Sequence, residues 1–350
     1  MLYRKLHQYL IVLGLLYLSA AQAGPQSNVI FEGAPKDSKG RYTNTNSDLS
    51  HGSTMTRAKF LARRLATAWR TNAGVPPFEP NNGLFLRENI DTPSITWVGH
   101  STFLVQMDGI NFLTDPIWST TASPIPPLGP RRFVKPGVSL VDLPPIDFVV
   151  ISHNHYDHMD LPTLRKIQKL NPDVLFFVPK GNGSVLRRNR ISHIRELDWG
   201  ENVSFKEVDV YCLPAQHWSK RSLTDTRKAL WASWAIIGAS RRFYFAGDTG
   251  YFSGFKAIGR YLGPFDLAAM PIGAYEPNEM MQAFHMNPEE AVQAALDIEA
   301  KLTVAMHFGT FDLSDEPMDD PPLRFKKAAQ KKGMGKDTGW VLAIGETRQF

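Results

Sequence analysis

Short apolar runs bounded by turn residues fill the chain from Pro93 onward. Ten runs have the β-branched and aromatic content typical of strands, namely residues 94–97, 102–107, 111–114, 147–151, 174–178, 202–210, 232–237, 243–246, 267–270 and 303–306. Segments with the helical spacing of apolar residues lie at 161–170, 288–300 and 322–331. Strands interleaved with helices predict an α/β fold in which helices cover the sheets.

The N-terminal 92 residues have a different pattern. Residues 1–23 combine Arg4 and Lys5, an apolar run too short for a bilayer, and the small-residue site Ala21-Gln22-Ala23. This layout predicts a cleaved signal peptide, with an uncleaved membrane anchor as the alternative. Residues 24–54 are rich in small polar side chains and predict a mobile arm. Residues 55–92 form a predicted helix and linker, and residues 93–350 are predicted to form one large domain.

A basic amphipathic helix is predicted over residues 55–70. Its apolar side chains fall on one face and its arginines and lysine are spread over the rest. Helices of this kind bind anionic lipid surfaces, or dock on their own domain with the basic face in solvent. The pattern alone favours docking.

Composition narrows the choice of partners and of chemistry. The net charge is +5, and removal of residues 1–23 takes away two basic residues, which leaves 37 basic against 34 acidic. An excess of +3 is too small to predict a nucleic-acid partner. Cys212 is the one cysteine, so an internal disulfide is excluded. It lies in an apolar run and is predicted to be a buried, inert thiol.

The segment 147–161, DFVVISHNHYDHMDL, carries the first candidate chemistry. An apolar strand leads into a loop with His153, His155, Asp157 and His158. Side chains two apart in an extended segment point the same way, so His153 and His155 can bind one metal ion. Asp157 and His158 can reach a second ion after a turn. Imidazole with carboxylate suits zinc best, with iron or manganese as alternatives.

Three more candidate ligands follow other predicted strands. His217 follows the strand that ends near residue 213, Asp248 lies in FAGDTG, and His307 lies in AMHFGTF. Gly247 and Gly250 beside Asp248 allow tight backbone turns. Sites in layered α/β folds collect at strand ends. The sequence therefore predicts a two-metal site built from five histidines and two aspartates.

These motifs together resemble a known family. HNHYDH, a downstream histidine, GDTG and a final strand-end histidine resemble the ligand pattern of the metallo-β-lactamase superfamily. WVGHSTFLVQMDGINFLTDPIWS, GPRRFVKPG, QHWSKRSLTDTRKALWASW, FAGDTGY and PIGAYEP are similar to N-acylphosphatidylethanolamine-hydrolysing phospholipase D and its bacterial relatives. The resemblance covers about residues 95–350. It implies an αββα sandwich, two mixed sheets packed face to face with helices outside.

The resemblance also implies a division of the ligands and a reaction. His153, His155 and His217 would hold one zinc ion, Asp157, His158 and His307 a second, and Asp248 would bridge the two. Two zinc ions about 3.5–4 Å apart share a water and lower its pKa towards roughly 7. The expected nucleophile is therefore a metal-bridging hydroxide, and the implied reaction hydrolyses a phospholipid on its head-group side.

A further set of residues is assigned to substrate contact or support. His285, in AFHMNPEE, lies beside the lipid head group in the resembling phospholipases, and a structural histidine at a helix entry is the alternative. Arg131 and Arg132 are candidates for phosphate contact, with a solvated loop as the other interpretation. His100, in GHST, is either a hydrogen-bond donor behind the ligands or a buried structural histidine.

Two other function classes stay open at this point. A metal-dependent lactonase or esterase of the same fold is one, because fold and metals do not fix the substrate. A non-catalytic, metal-stabilised envelope protein that binds lipid is the other. The resemblance implies a phospholipid substrate at a membrane surface and a homodimer. With a signal peptide, the protein is expected in the periplasm or on a membrane of a bacterial envelope.

Overall fold

The computed structural model describes residues 31–46, 52–67, 74–335 and 337–350. The predicted signal peptide over residues 1–23 lies outside the described residues. Within those ranges, no helix combines the length and the apolar content that a bilayer crossing requires.

Two mixed sheets form the centre of the domain. The first contains β1 (Ser94–Gly99), β2 (Thr102–Met107), β3 (Ile110–Thr114), β4 (Phe148–Val150), β5 (Leu175–Pro179), β6 (Ile194–Leu197) and β14 (Thr347–Gln349), in the order β14-β1-β2-β3-β4-β5-β6. The second contains β7 (Asn202–Phe205), β8 (Val208–Leu213), β9 (Ser233–Gly238), β10 (Arg242–Phe245), β11 (Phe265–Pro271), β12 (Ala300–Met306) and β13 (Gly339–Trp340), in the order β13-β12-β11-β10-β9-β8-β7.

Each sheet is antiparallel in one half and parallel in the other. In the first sheet, β14 to β3 pair antiparallel and β3 to β6 pair parallel. In the second, β7 to β10 pair antiparallel and β10 to β13 pair parallel. Parallel strands need crossover connections, and helices supply them here except between β3 and β4, where a long loop with one 3₁₀ turn makes the connection. The ends of the parallel strands are therefore the places where polar loops gather.

Helices cover the outer faces of the sheets. The described helices are α1 (Thr54–Thr67), α2 (Leu84–Glu88), α3 (Leu161–Leu170), α4 (Gly183–Arg188), α5 (Gly254–Leu262), α6 (Asn278–Met281), α7 (Pro288–Asp297) and α8 (Asp320–Lys331), with a 3₁₀ turn at Leu140–Asp142. Side chains of α2, α3 and α4 share one buried cluster with the first sheet. Helix α7 packs on β11 and β12, and α8 packs on α7 and β13.

The core lies between the sheets as well as under the helices. Neighbouring strand residues point to opposite faces, so Leu113 and Val149 pack under the helices while Phe112 and Phe148 stack on each other. Phe112 also lies 5.7 Å from the ring of Phe243 in the other sheet. Burial on both faces explains the almost continuously apolar strands. The predicted αββα sandwich is confirmed.

Several elements differ from the prediction. The single strand predicted over residues 202–210 is wrong, because the chain turns at Lys206, whose φ is 49°, and pairs β7 with β8 as a hairpin. Helix α7 begins as predicted, with Asn287 and Glu290 forming a reciprocal cap. Helix α5 and strand β6 were not predicted at all.

The segment predicted as a mobile arm differs over residues 31–46. Tyr42 is buried, Ala34 N–H donates to Asp198, and Asn44 hydrogen-bonds the backbone of His217 in both directions, at 2.9 and 3.0 Å. The mobile arm was predicted because the segment has few large apolar side chains. Its contacts with the domain are made mostly by polar groups, so composition does not predict them. This part of the chain is attached to the domain.

Candidate metal centre

The seven predicted ligands lie in one cluster at the ends of strands from both sheets. Four follow β4, in the loop HNHYDH. His217 follows β8, Asp248 follows β10, and His307 follows β12 directly. Strands from two packed sheets deliver these side chains to one edge of the sandwich, where their metal-binding atoms form groups within 4.8 Å of one another.

The first group consists of His153, His155 and His217. Nε2 of His153 lies 2.8 Å from Nδ1 of His155, and Nε2 of His217 lies 3.3 Å from the same atom. The other nitrogen of His217 donates to the carbonyl of Phe284 at 2.9 Å. That bond fixes the ring so that Nε2 faces its neighbours. Three imidazoles converging on one point can hold one metal ion.

The second group consists of Asp157, His158 and His307, with Asp248 between the two groups. Oδ2 of Asp248 lies 3.0 Å from Nε2 of His158 and 3.1 Å from Nε2 of His307. The same oxygen lies 3.8 Å from Nε2 of His153 and of His217. Asp248 therefore reaches both groups, as a bridging carboxylate must.

The acid–base state of the first group suits a cation. Burial lowers the pKa of His153 and of His217 well below the ordinary value, and lowers the pKa of His155 to about 4. These rings are therefore neutral at pH 7. Neutral imidazoles offer the lone pairs that metal binding requires.

The second group carries paired charges. Burial would raise the pKa of Asp248, but His158 and His307 outweigh it and hold that pKa well below its ordinary value. Burial would likewise lower the pKa of His307, yet Asp248 and Asp157 raise it to about 9. The two carboxylates thus attract positive charge into the site, which is the charge that a cation supplies.

Unpartnered buried atoms also fit metal ions. Nε2 of His155 and Oδ1 of Asp248 are buried and make no hydrogen bond with any described residue, and Nε2 of His158 and of His307 meet the Asp248 carboxylate as ion pairs without a hydrogen bond. Buried polar atoms without partners are costly. Coordination of metal ions would satisfy all four atoms. Both the types of donor and the lack of other hydrogen-bond partners therefore fit the two metal ions that the sequence implies.

Asp115 is a supporting residue that the sequence reasoning missed. Its Oδ2 accepts from Nδ1 of His158 at 2.7 Å and from Oγ of Ser152 at 2.5 Å. The Ser152 hydroxyl lies 2.9 Å from Nδ1 of His153. One buried carboxylate therefore orients a histidine of each group. The signal was an aspartate at the end of β3, in FLTDP.

His100 supports the second group from the other side. It follows β1, it is buried, and its Nε2 donates to Oδ2 of Asp157 at 2.9 Å. His100 and His307 both have left-handed φ, 55° and 61°, and His307 N–H donates to the carbonyl of His100. Such backbone strain concentrates at functional sites. Of the two interpretations of His100, the geometry matches the hydrogen-bond donor behind the ligands.

Residues 110–308 match a family model described as a beta-lactamase superfamily domain. The chain belongs to the metallo-β-lactamase superfamily. It is 41% identical over 287 residues to "N-acyl-phosphatidylethanolamine-hydrolyzing phospholipase D 1" of Caenorhabditis elegans, covering 79% of this chain and 78% of that protein. The resemblance found in the motifs is confirmed.

Two further comparisons agree with this assignment. The chain is 35% identical over 263 residues to the mitochondrial N-acyl-phosphatidylethanolamine-hydrolyzing phospholipase D of Saccharomyces cerevisiae, covering 73% of this chain and 55% of that protein. Igni18, a metallo hydrolase of the archaeon Ignicoccus hospitalis, superposes with a TM-score of 0.57 at 25% identity, covering 74% of this chain and 98% of Igni18. This chain is a metal-dependent hydrolase of the metallo-β-lactamase fold.

A pocket of about 690 Å³ opens onto the cluster of this hydrolase. His155, Asp157, Asp248 and His307 form part of its lining. Its apolar lining includes Phe60 of α1, Met280 and Met281 of α6, Trp218, Phe284 and Leu313, and its cationic side chains are Arg57 and Lys220. The pocket is therefore polar where it meets the cluster and apolar along its walls, which is the usual composition of a small-molecule site.

His285 lies in the pocket, at the position predicted for substrate contact. Its ring centroid is 5.0 Å from that of His217 and 5.5 Å from that of His307. Burial lowers the pKa of His285 to about 4, and its Nδ1 makes no hydrogen bond with a described residue. His285 also lies two residues before the Asn287 cap, as the helix-entry alternative predicts.

The structure places Arg132 away from the predicted phosphate contact. Its guanidinium donates to the carbonyls of Ser119 and Ile117 at 3.1 and 2.6 Å and lies over the ring of Phe311. The side chain is mostly buried, and burial lowers its pKa to about 10. Arg131 is exposed and pairs through its backbone with Thr121. Among the described residues, the pocket is lined by neighbouring Pro130 and by neither arginine.

Proposed function

We propose that this hydrolase is a zinc-dependent phosphodiesterase that cleaves an N-acylphosphatidylethanolamine-like phospholipid on the head-group side. The observation that carries the proposal is the position of the imidazole and carboxylate cluster at the base of a pocket with apolar walls. The names of the nematode and yeast relatives support the choice of substrate.

The proposed ligand sets follow the two groups of side chains. His153, His155 and His217 would hold one zinc ion, Asp157, His158 and His307 the second, and Asp248 both. When bound, two such ions supply an acidified water and positive charge opposite the phosphoryl oxygens. No side-chain nucleophile is needed, which agrees with the burial of Cys212.

The chain's own residues hold this arrangement rigid. The bonds from His217 to Phe284 and from His158 to Asp115 leave one nitrogen of each ring free to face the centre. His100 orients Asp157 in the same way. Rings that cannot rotate lose no entropy when they bind, so orientation by such partners strengthens metal binding.

The pocket walls suit the two ends of a lipid. Phe60, Met281 and Leu313 offer contacts to hydrocarbon, and Arg57 and Lys220 offer positive charge to the phosphate. His285 would hydrogen-bond the head group through Nδ1, the atom that has no partner within the described chain. The position of its ring beside that of His217 supports a contact at the reacting end of the lipid.

Helix α1 gives the pocket a surface for membrane lipid. Phe60 and Arg57 face the pocket, while Met55 and Leu61 are 64% and 61% exposed. Exposed apolar side chains on a basic helix bind the interface of anionic bilayers. Homodimerisation and export to a bacterial envelope stay predictions of the sequence.

The test is lipid mass spectrometry on the purified, zinc-loaded protein. Bilayers of bacterial phospholipids containing N-acylphosphatidylethanolamine should yield phosphatidic acid and N-acylethanolamine. The His217→Ala variant should yield neither, whereas His193→Ala, on an exposed histidine, should match the wild type. Turnover of lactones or carboxylic esters without any phosphodiester cleavage would contradict the proposal and favour the esterase alternative.

A further inference from the structure

A second groove lies apart from the metal centre. It has a volume of about 720 Å³ and shares no lining residue with the pocket that opens on the cluster. Its walls are formed by Phe78, Pro80 and Asn81, segment 135–142, Trp118 and the C-terminal half of α3. Its volume falls within the range of roughly 300–1,000 Å³ typical of sites for a single small molecule.

The groove exposes large apolar side chains in one place. Val141 is 71% exposed and Leu170 is 49% exposed, and Phe78 also lines the groove. Trp118 and Leu140 form its floor, where they pack on the core cluster under the first sheet. Isolated exposed apolar residues are common, but several lining one concave surface mark a binding site.

The charged side chains around this groove are mostly positive. Lys166 and Lys169 are three apart on α3 and therefore share a face, and Nζ of Lys135 lies 4.8 Å over the ring of Phe78. Asp142 is the one carboxylate in the described lining. Arg87 pairs with this carboxylate. Its guanidinium lies 3.5 Å from Oδ1 of Asp142 and donates to the backbone carbonyl of Asp142 at 2.8 Å.

We propose that this groove binds a single-chain fatty carboxylate, with the hydrocarbon chain along Trp118, Val141 and Leu170 and the carboxylate beside Lys166 and Lys169. Lys166 and Lys169 form no ion pair with a described carboxylate, and such cationic charge beside apolar walls is complementary to an anionic amphiphile. A volume suited to one small molecule favours one acyl chain over the two of a diacyl lipid. The site is independent of the proposed phosphodiesterase reaction.

Quenching of tryptophan fluorescence by 9,10-dibromostearate, used below its micelle concentration, tests the site. Bromine quenches only tryptophans in contact with it, so saturable quenching is expected in the wild type. Trp118→Phe should lose most of the quenching although seven tryptophans remain of the eight in the chain. The methyl ester of the same acid, which lacks the charge, should bind more weakly.

A second test reverses the charge of two exposed lysines and leaves Trp118 unchanged. The double variant K166E/K169E should raise the half-saturating concentration by about tenfold or more, because two attractive charges become repulsive. The double variant K326E/K327E makes the same change on exposed positions of α8 and should match the wild type. Equal binding by both double variants, undiminished quenching in Trp118→Phe, or equal binding of the methyl ester would each overturn the proposal.

Discussion

At the scale of single residues, one carboxylate connects the two halves of the metal centre. Asp115 accepts from His158 directly and supports His153 through the Ser152 hydroxyl. Among the described residues, Asp115 is the one hydrogen-bond partner of Nδ1 of His158, so it fixes the orientation of that ring. The orientation of the metal-binding histidines thus depends on Asp115, which is not itself one of the predicted metal ligands.

Replacement of Asp115 by Asn should weaken metal binding without removing a ligand. An amide oxygen accepts less strongly than a carboxylate, so zinc affinity should fall roughly 10–100-fold. Chelator competition measures this affinity. The same change at half-buried Asp209, which bonds Ser204 on β7, should leave affinity unchanged. Wild-type affinity in Asp115→Asn would show that the histidines are oriented by other contacts.

The Cys212 thiol is predicted to be unreactive in the native protein. It is fully buried on β8, its Sγ lies 3.6 Å from the carbonyl of Leu197, and burial raises its pKa well above the ordinary value. Reaction requires the thiolate and access to it. A chromogenic disulfide reagent should therefore label the protein only at the rate of unfolding, measured with and without urea. Rapid labelling in buffer would contradict this placement.

At the scale of elements, the metal-binding side chains lie at strand ends, and a tight turn there lets the ends of strands from the two sheets approach each other. Gly247 follows β10 with φ of 59°, and a Cβ there would lie 2.5 Å from the Cβ of Ser152 at the end of β4. The neighbouring Asp248 belongs to the metal centre. The glycine therefore allows the two strand ends, one from each sheet, to approach.

Gly247→Ala should lower the free energy of unfolding by about 2–4 kcal/mol, since left-handed strain and steric overlap with Ser152 add together. Urea denaturation measures the loss. Gly109→Ala is the matched control, because its φ is 71° but a Cβ there meets nothing within 4 Å. The free energy of unfolding of Gly109→Ala should fall by only about 1 kcal/mol, because this change adds left-handed backbone strain without steric overlap. An equal loss of stability in the two variants would show that steric overlap between residue 247 and Ser152 does not destabilise the protein.

Helix α1 is held over the pocket by polar contacts. Arg64 lies 2.8 Å from Asp312, Arg63 lies 2.5 Å from Asp315, and Thr56 donates to Glu279 of α6 at 2.8 Å. These contacts show that the helix docks on its own domain, and its exposed side chains stay available for the proposed lipid contact. They also bring Phe60 into the lining of the pocket.

Phe60→Ala should raise KM about fivefold for a short-chain N-acylphosphatidylethanolamine below its micelle concentration, through roughly 1 kcal/mol of lost apolar contact. Its kcat should not change, because Phe60 does not touch the cluster. Steady-state kinetics on monomeric lipid separate this effect from membrane binding. Leu61→Ala, on the exposed neighbour, should match the wild type. An equal effect of both changes would place the acyl chain elsewhere.

At the scale of the whole molecule, two sheets close around a cluster of buried imidazoles and carboxylates. The apolar faces of both sheets supply the core, and the ligand loops come from both. Metal ions at that edge would join the sheets to each other. Stability should therefore depend on the ions as well as on the core.

Zinc should raise the melting temperature of the protein by several degrees, and chelation should reverse the rise. Ions that bind only the folded state stabilise it by about 4.1 kcal/mol per site at a thousandfold excess over Kd. Differential scanning fluorimetry across a zinc titration measures the shift. His307→Ala should reduce it, whereas His193→Ala should not. A melting temperature independent of zinc would contradict the assignment of the cluster.

The sequence by itself determined the fold class and selected the seven clustered side chains. Apolar runs with strand propensity report which residues are buried, and this is a local property. Four metal-binding side chains within six positions, from His153 to His158, are likewise local. The ends of parallel strands meet at one edge of a sandwich, so the grouping of Asp248 and His307 with them followed from the fold class.

Only the tertiary structure decided what lies around those residues. Asp115 meets His158 across 43 positions and Asn44 meets His217 across 173. Arg132, which the sequence offered as a phosphate contact, instead bonds the carbonyls of Ile117 and Ser119. A polar side chain bonds whichever partner the packed chain brings near it. That partner is set by contacts between distant segments, which the local pattern of apolar and polar positions does not record.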